Sequence, residues 1–295
     1  MRSIPTEIKT GCPELDDAWT TYSQVIFEKS DILIQDTEDD LNWHAFLGHS
    51  IDMQGFRAAE FSGVDELSKT VDNFIPLNKR GIGVAELGEL WEIEAIQSHL
   101  LHNATGTDIT TSYDVLKKED GDIGASLAEA FASFPFRKGH KCVRALLQNS
   151  AELKKCNYSF RQWLEYQCCL LGCKDFPPVD FRQTPQGTKS LEDCLCEKLE
   201  GTFFMVGPEM APYMLCDWQL WLWKEGRTEF FDTFKLDSFH AEFIERVNAK
   251  HGIIVPLEKR RFVEWWHNHY PSLPPRLANE CIWLYMEDGL FGKSM

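Results

Sequence analysis

No stretch of this 295-residue chain approaches the ~18 consecutive apolar residues that a membrane-spanning helix requires. The opening segment, MRSIPTEIKTGCPELDD, has no apolar core between its charges, so no secretory signal and no membrane association are expected. Positive charge is also in short supply: 30 basic residues stand against 46 acidic ones, for a net charge of −16. A protein that grips a nucleic-acid backbone ordinarily concentrates basic residues, so the overall balance weighs against that class of partner. Paired CxxC spacing is missing. Cys194-x-Cys196 and Cys168-Cys169-x3-Cys173 do not have the arrangement of a structural zinc site, and neither metal nor other cofactor is expected. Ten cysteines without a secretory signal read as reduced thiols in the cytoplasm, or alternatively the nucleus. Gly81-Ile82-Gly83 lacks the helix-entry glycine or lysine of a phosphate loop.

What the chain has in quantity is apolar and aromatic surface: 43% hydrophobic residues, with 10 Trp and 20 Phe. Such a composition builds a substantial interior. The length suits a single domain over 1–295 that can divide into two helical lobes sharing a site. Phe176-Pro177-Pro178 and Thr184-Pro185-Gln186-Gly187 mark the best boundary, giving lobes of about 1–189 and 190–295.

Helical periodicity dominates. Leu15, Trp19, Tyr22, Val25 and Ile26 predict a helix over Cys12–Lys29, followed by a short strand or extended link over Ser30–Asp36. The acidic run Asp36-Thr37-Glu38-Asp39-Asp40 reads as a helix N-terminus, where carboxylates meet the positive dipole end. One long helix is predicted over Val84–Asn103, carrying Glu92, His99 and His102. Further helices are expected over Ala125–Phe136, Lys141–Lys155, Tyr158–Leu171, Leu191–Leu199, Ala241–Lys250, Glu258–His269 and Arg276–Asp288. The fold class is mostly α, with about ten helices and few or no strands.

The stretch Gly201–Ile244 organises the rest. Met205-Val206-Gly207-Pro208-Glu209-Met210-Ala211 reads as a glycine turn opening a helix, with Gly207 supplying a positive φ or a close backbone approach and Pro208 at the first helical position. Glu225-Gly226-Arg227 breaks that helix. Asp237 then stands among Phe234, Leu236 and Phe239, where it serves either as the cap of the helix that Ser238 begins or as a reactive carboxylate.

Helix, glycine turn, helix and isolated Asp together resemble the helix-hairpin-helix glycosylase superfamily, with Val206–Ala211 as the turn and Leu236-Asp237-Ser238-Phe239-His240 as the Asp segment. A narrower resemblance, to the queuosine salvage proteins, spreads over more of the chain. It rests on Leu41-Asn42-Trp43, Asp52 with Phe56, Thr107–Tyr113, Cys216-Asp217-Trp218, Phe234–Phe239 and Asn279-Glu280-Cys281-Ile282-Trp283, in that order. Members of that family hydrolyse queuosine 5′-phosphate to free queuine, within the salvage of a tRNA modification. The sequence departs from the family at Pro208-Glu209, where a basic residue is usual, at Ser238-Phe239 in place of Tyr-Arg, and at Asn279 in place of Asp.

The resemblance implies a helical glycosylase fold and an N-glycosidase that needs no cofactor. Its partner would be a small nucleoside or nucleotide. Asp237 would be the catalytic carboxylate. Trp43, Phe56, Trp218 and Trp283 would stack on the base, Asp52 would accept from its N–H edge, and Asn279 or Glu280 would hold a sugar hydroxyl, with Glu209, Asp217 and His240 completing the substrate site. Two alternatives stay open. The glycine turn suits a monofunctional DNA glycosylase that flips a modified or damaged base, the lack of Lys at Glu209 excluding a Schiff-base lyase. The altered Glu209 and Asn279 suit a non-catalytic helical scaffold.

The chemistry itself is simple to state. Breaking a base–sugar C–N bond develops positive charge on the anomeric carbon and ring oxygen. A carboxylate held below that carbon stabilises the charge and activates water.

Overall fold

The computed structural model describes residues 2–32, 82–102, 110–131, 139–182, 184, 187, 189–208, 210–229, 232, 236, 238–252 and 255–291. The fold is mostly α, and among the described residues there are twelve α-helices and no strand. They are α1 (Pro13–Ile32), α2 (Val84–Trp91), α3 (Glu94–His102), α4 (Thr110–Glu119), α5 (Gly121–Phe131), α6 (Gly139–Glu152), α7 (Phe160–Leu170), α8 (Leu191–Thr202), α9 (Ala211–Lys224), α10 (Ser238–His251), α11 (Lys259–His269) and α12 (Pro275–Glu287). No helix among the described residues is long and apolar enough to cross a membrane.

Local chemistry explains most of the boundaries. Pro13 opens α1 and Pro275 opens α12, at positions where a missing N–H costs nothing. The Ser159 hydroxyl accepts the Gln162 N–H (3.2 Å) ahead of α7, and Ser190 does the same for Asp193 (3.0 Å) ahead of α8. Helix ends close on left-handed glycines. At α9, Gly226 takes φ +72°, its N–H bonds the Trp223 carbonyl (3.0 Å), and the Arg227 N–H returns to Leu222 (2.8 Å). Gly172 after α7 and Gly289 after α12 close the same way.

Two expectations are corrected. The single helix predicted over Val84–Asn103 is two, because the Glu92 and Ile93 N–H groups tighten onto Glu89 and Leu90 carbonyls (3.1 and 3.2 Å) and end α2. Asp31 and Ile32, predicted to be extended, continue α1.

The chain divides into two compact units, one of Met1–Asp36, Cys168–Cys194 and Leu215–Met295, the other of Thr37–Gln167 and Leu195–Met214. In the first unit α1, α10 and α11 share α12. Leu15, Ala18 and Trp19 of α1 are fully buried, as are Leu277, Ala278, Cys281, Ile282 and Tyr285 of α12. Trp19 meets Trp266 at 5.6 Å between ring centroids. The polar tips are satisfied: Trp19 Nε1 donates to the Pro5 carbonyl (2.9 Å), Trp266 Nε1 to Leu273 (2.8 Å), and the Tyr285 hydroxyl to Asp17 (3.0 Å). Glu14, nearly enclosed, accepts from Lys250 (2.9 Å) and His251 (2.8 Å). Burial alone would raise its pKa, but the hydrogen bonds from His251 and Lys250 prevail and hold the carboxyl below the usual range.

In the second unit α2 lies close on α6. A Cβ at Gly88 would come within 2.6 Å of the Tyr158 ring and 3.1 Å of the Ser150 backbone, so any larger residue would have to displace them. Phe160 stacks on Trp163 (5.8 Å, 8° between planes), and Trp163 packs on Phe203 (5.0 Å). The chain after α8 is held by one buried amide. Asn149 accepts the Phe204 N–H (2.7 Å) and donates to the Phe204 carbonyl (3.0 Å), while Arg144 lies over the Phe204 ring at 3.9 Å. Asn248 clamps Val255 in the same two-bond fashion in the first unit.

Replacing Asn149 with Ala removes both partners of Phe204, and a loss of about 2 kcal/mol is expected in urea unfolding. Trp19→Ala, which empties a fully buried indole, is expected to cost about 3–5 kcal/mol by the same measurement.

Candidate functional site

Among the predicted site residues, those at the start of α10 and along α12 meet. Asn279 and Trp283 are one turn apart and share a face of α12. The first turn of α10 lies against that face. Phe239 packs on Trp283 at 6.1 Å with planes inclined at 59°, and both rings are partly exposed. His240 is fully buried and stands edge-on to Phe262 at 4.8 Å.

Burial is the main influence on His240. It drives the imidazole pKa down to about 4, against a weaker opposing influence of the Asn279 amide. His240 is therefore neutral at pH 7, held in the interior and not presented to solvent. Asn279 is buried as well. One turn earlier on α12, Arg276 is enclosed and pairs with Glu280.

Of the remaining predicted residues, Trp218 alone has a described side chain. Trp218 on α9 is only 1% exposed and packs in the interior, so it offers no face to a base. Asp217 lies on the same helix, its side chain outside the described residues. Asp237, Trp43, Asp52, Phe56 and Glu209 lie outside the described residues too; α10 does begin at Ser238, immediately after Asp237.

The glycine turn differs from expectation in two ways. Gly207 takes no positive φ, and a Cβ there would meet nothing within 4 Å. The left-handed residue is Met205, at φ +64°. Pro208 opens a turn and not the regular helix. The Gly207 carbonyl accepts from Met210 (2.9 Å) and Ala211 (3.0 Å), but Pro212 has no N–H to offer the Pro208 carbonyl. The regular ladder therefore starts at Ala211.

A second polar group in the first unit carries no sequence motif. Glu192, in the first turn of α8, accepts the Asp232 N–H (2.7 Å) and the Gln219 amide (3.1 Å) through one carboxylate oxygen. Asp232 in turn bonds His267 Nε2 at 2.7 Å. Nearby in sequence, Arg182 binds Asp180, which with Asp232 and Glu192 raises the guanidinium pKa against the effect of burial. The pair Asp232–His267 can orient an imidazole for proton transfer. Its members lie 35 residues apart on an unmotivated spacing, so nothing in the sequence points to it.

At the break between α2 and α3 Glu92 pairs with Lys154, and on α3 His102 Nδ1 bonds the Ser98 carbonyl (2.7 Å) at the C-terminus of its own helix. Among the described residues no group of three or more His, Cys, Asp or Glu is placed to hold a metal ion.

No protein-family model, curated protein or solved structure matches the chain.

Two predictions follow from this geometry. The unfolded chain binds a proton at His240 from pH 6.5 downward, whereas the folded protein resists it until about pH 4. Stability from this group is thus complete above pH 6.5 and is lost as the pH falls, by roughly 3 kcal/mol at most. Subtracting the stability–pH curve of His240→Leu from that of the wild type isolates this slope. For the turns, Gly226→Ala is expected to lose about 1–2 kcal/mol because φ is positive there, and Gly207→Ala to change stability by less than about 0.5 kcal/mol.

Proposed function

We propose that the chain is an N-glycoside hydrolase that releases a modified purine or 7-deazaguanine base, queuine-like in character, from a nucleoside or nucleoside 5′-phosphate. The reading rests on the ordered resemblance to the queuosine salvage proteins. The observation that carries it furthest is the Phe239–Trp283 contact. That contact joins two segments the resemblance names separately: the one that follows Asp237 and the Asn279–Trp283 face of α12.

In this reading Asp237 stabilises the cationic sugar as the C–N bond breaks, and directs a water to the anomeric carbon. The water's proton passes to the carboxylate, and the base leaves with the bonding electron pair and takes up a proton. A 7-deazapurine has no N7 to protonate, so help to the leaving group comes through other edges of the base. Trp283, partly exposed, is a ring on which a base would stack, worth roughly 1–3 kcal/mol. His240 and Asn279, being buried, would act by shaping the wall behind that ring.

The test is base release from queuosine and its 5′-phosphate, followed by chromatography. The expected result is release by the wild type and a loss of roughly 10²–10⁴-fold in Asp237→Ala. Equal release by both proteins removes Asp237 from the mechanism. Cleavage of damaged duplex DNA without release from either nucleoside selects the DNA glycosylase, and inactivity on all three selects the scaffold.

A further inference from the structure

Three cysteines crowd the end of α7 and the turn that closes it: Cys168, Cys169 and Cys173. The turn is tightly specified. Gly172 adopts φ +86°, its N–H bonds the Cys169 carbonyl (3.0 Å), and the Cys173 N–H bonds the Cys168 carbonyl (2.9 Å). In this helix ending the residue that donates the longer bond and the residue that accepts it bring their side chains together, and an apolar pair commonly fills that contact. Here two thiols fill it. They hydrogen-bond to one another, Cys168 being buried and Cys173 half-buried, while Cys169 points to solvent.

We infer that Cys168 and Cys173 are a thiol pair that a low-molecular-weight disulfide converts to an intramolecular disulfide, a modification site at the closure of α7. The backbone bonds already bring the two residues together, which is the condition a short-range disulfide has to meet. The neighbour Cys169 is exposed and makes no backbone bond to Cys173, so it stays outside the bridge.

The reaction balances without a further redox partner. The Cys173 thiolate attacks the small disulfide, forming a mixed disulfide and releasing one small thiolate. Cys168 then attacks the Cys173 sulfur, the protein disulfide forms, and the second small thiolate leaves. The two protons lost by the protein end on the two small thiols. Burial raises the Cys173 pKa, opposed by its contact with Cys168. Little thiolate is therefore present near neutrality, and the conversion quickens as pH rises.

Trypsin cuts after Arg161 and Lys174, which puts all three cysteines on one peptide. The folded full chain is treated with oxidised glutathione at mildly alkaline pH, its remaining thiols are alkylated with iodoacetamide, and the peptide is sequenced by mass spectrometry. The expected product is a peptide with an internal disulfide, about 2 Da lighter than the dithiol before alkylation, with the single alkyl group on Cys169 and full reversal by dithiothreitol. Cys169→Ser is expected to form the bridge unchanged, and Cys173→Ser to form none. A stable glutathione adduct, three alkylated cysteines after oxidation, or a bridge that includes Cys169 would overturn the inference. Because the wild-type protein alone gives the decisive readout, a variant that fails to fold does not blunt the test.

Discussion

The burial of α12 against α1, α10 and α11 is the constraint on which the first unit depends. A helix enclosed on most of its surface has to be apolar nearly all round, and α12 largely is: Leu277, Ala278, Cys281, Ile282 and Tyr285 see no solvent. Its polar residues therefore stand out. Tyr285 reaches Asp17 on α1, and Arg276 is matched by Glu280. Asn279 sits beside His240, a histidine kept neutral by the same enclosure, and partly offsets that effect through its amide. The pair falls on the face of α12 that also carries Trp283.

Much of the helical framework was legible because its apolar residues recur at helical spacing. Apolar residues at helical spacing placed most helices, and Gly226 marked the end of α9; the structure adds the starts at Pro13, Ser159, Ser190 and Pro275 and the ends at Gly172 and Gly289, each made through a hydrogen bond or a backbone angle. The break between α2 and α3 was not legible. Leu90, Trp91, Ile93 and Ile96 keep the apolar pattern running through it, and a helix that ends by tightening onto i−3 carbonyls needs neither proline nor glycine. At the Gly207 turn a correct location came with the wrong mechanism. The positive φ belongs to Met205, and the effect of Pro212 on the ladder outweighs the suitability of Pro208 as an opening residue.

The candidate site divides along the same line. The resemblance to the queuosine salvage proteins pointed to Asn279 and Trp283, and the meeting of that face with Phe239 and His240 is a tertiary fact that a motif within α12 does not contain. Trp218 looked equally suitable in the sequence but is interior, since an indole's role is decided by which way its helix face turns. Glu192, Gln219, Asp232 and His267 escaped notice for the opposite reason. They come from three helices and a loop and share no motif, so only the fold assembles them.

The partnership of α1 with α12 also bears on the order in which the chain can acquire structure. Leu15 and Trp19 are made hundreds of residues before Leu277 and Ile282, with which they share a core. A helix whose apolar stripe has to wait that long depends on whatever shields nascent chains, because exposed tryptophan and leucine faces invite association in the interval. Closing so long a loop also makes the pairing entropically demanding. Synthesis of α12 is thus the event that releases α1 from its dependence on outside protection.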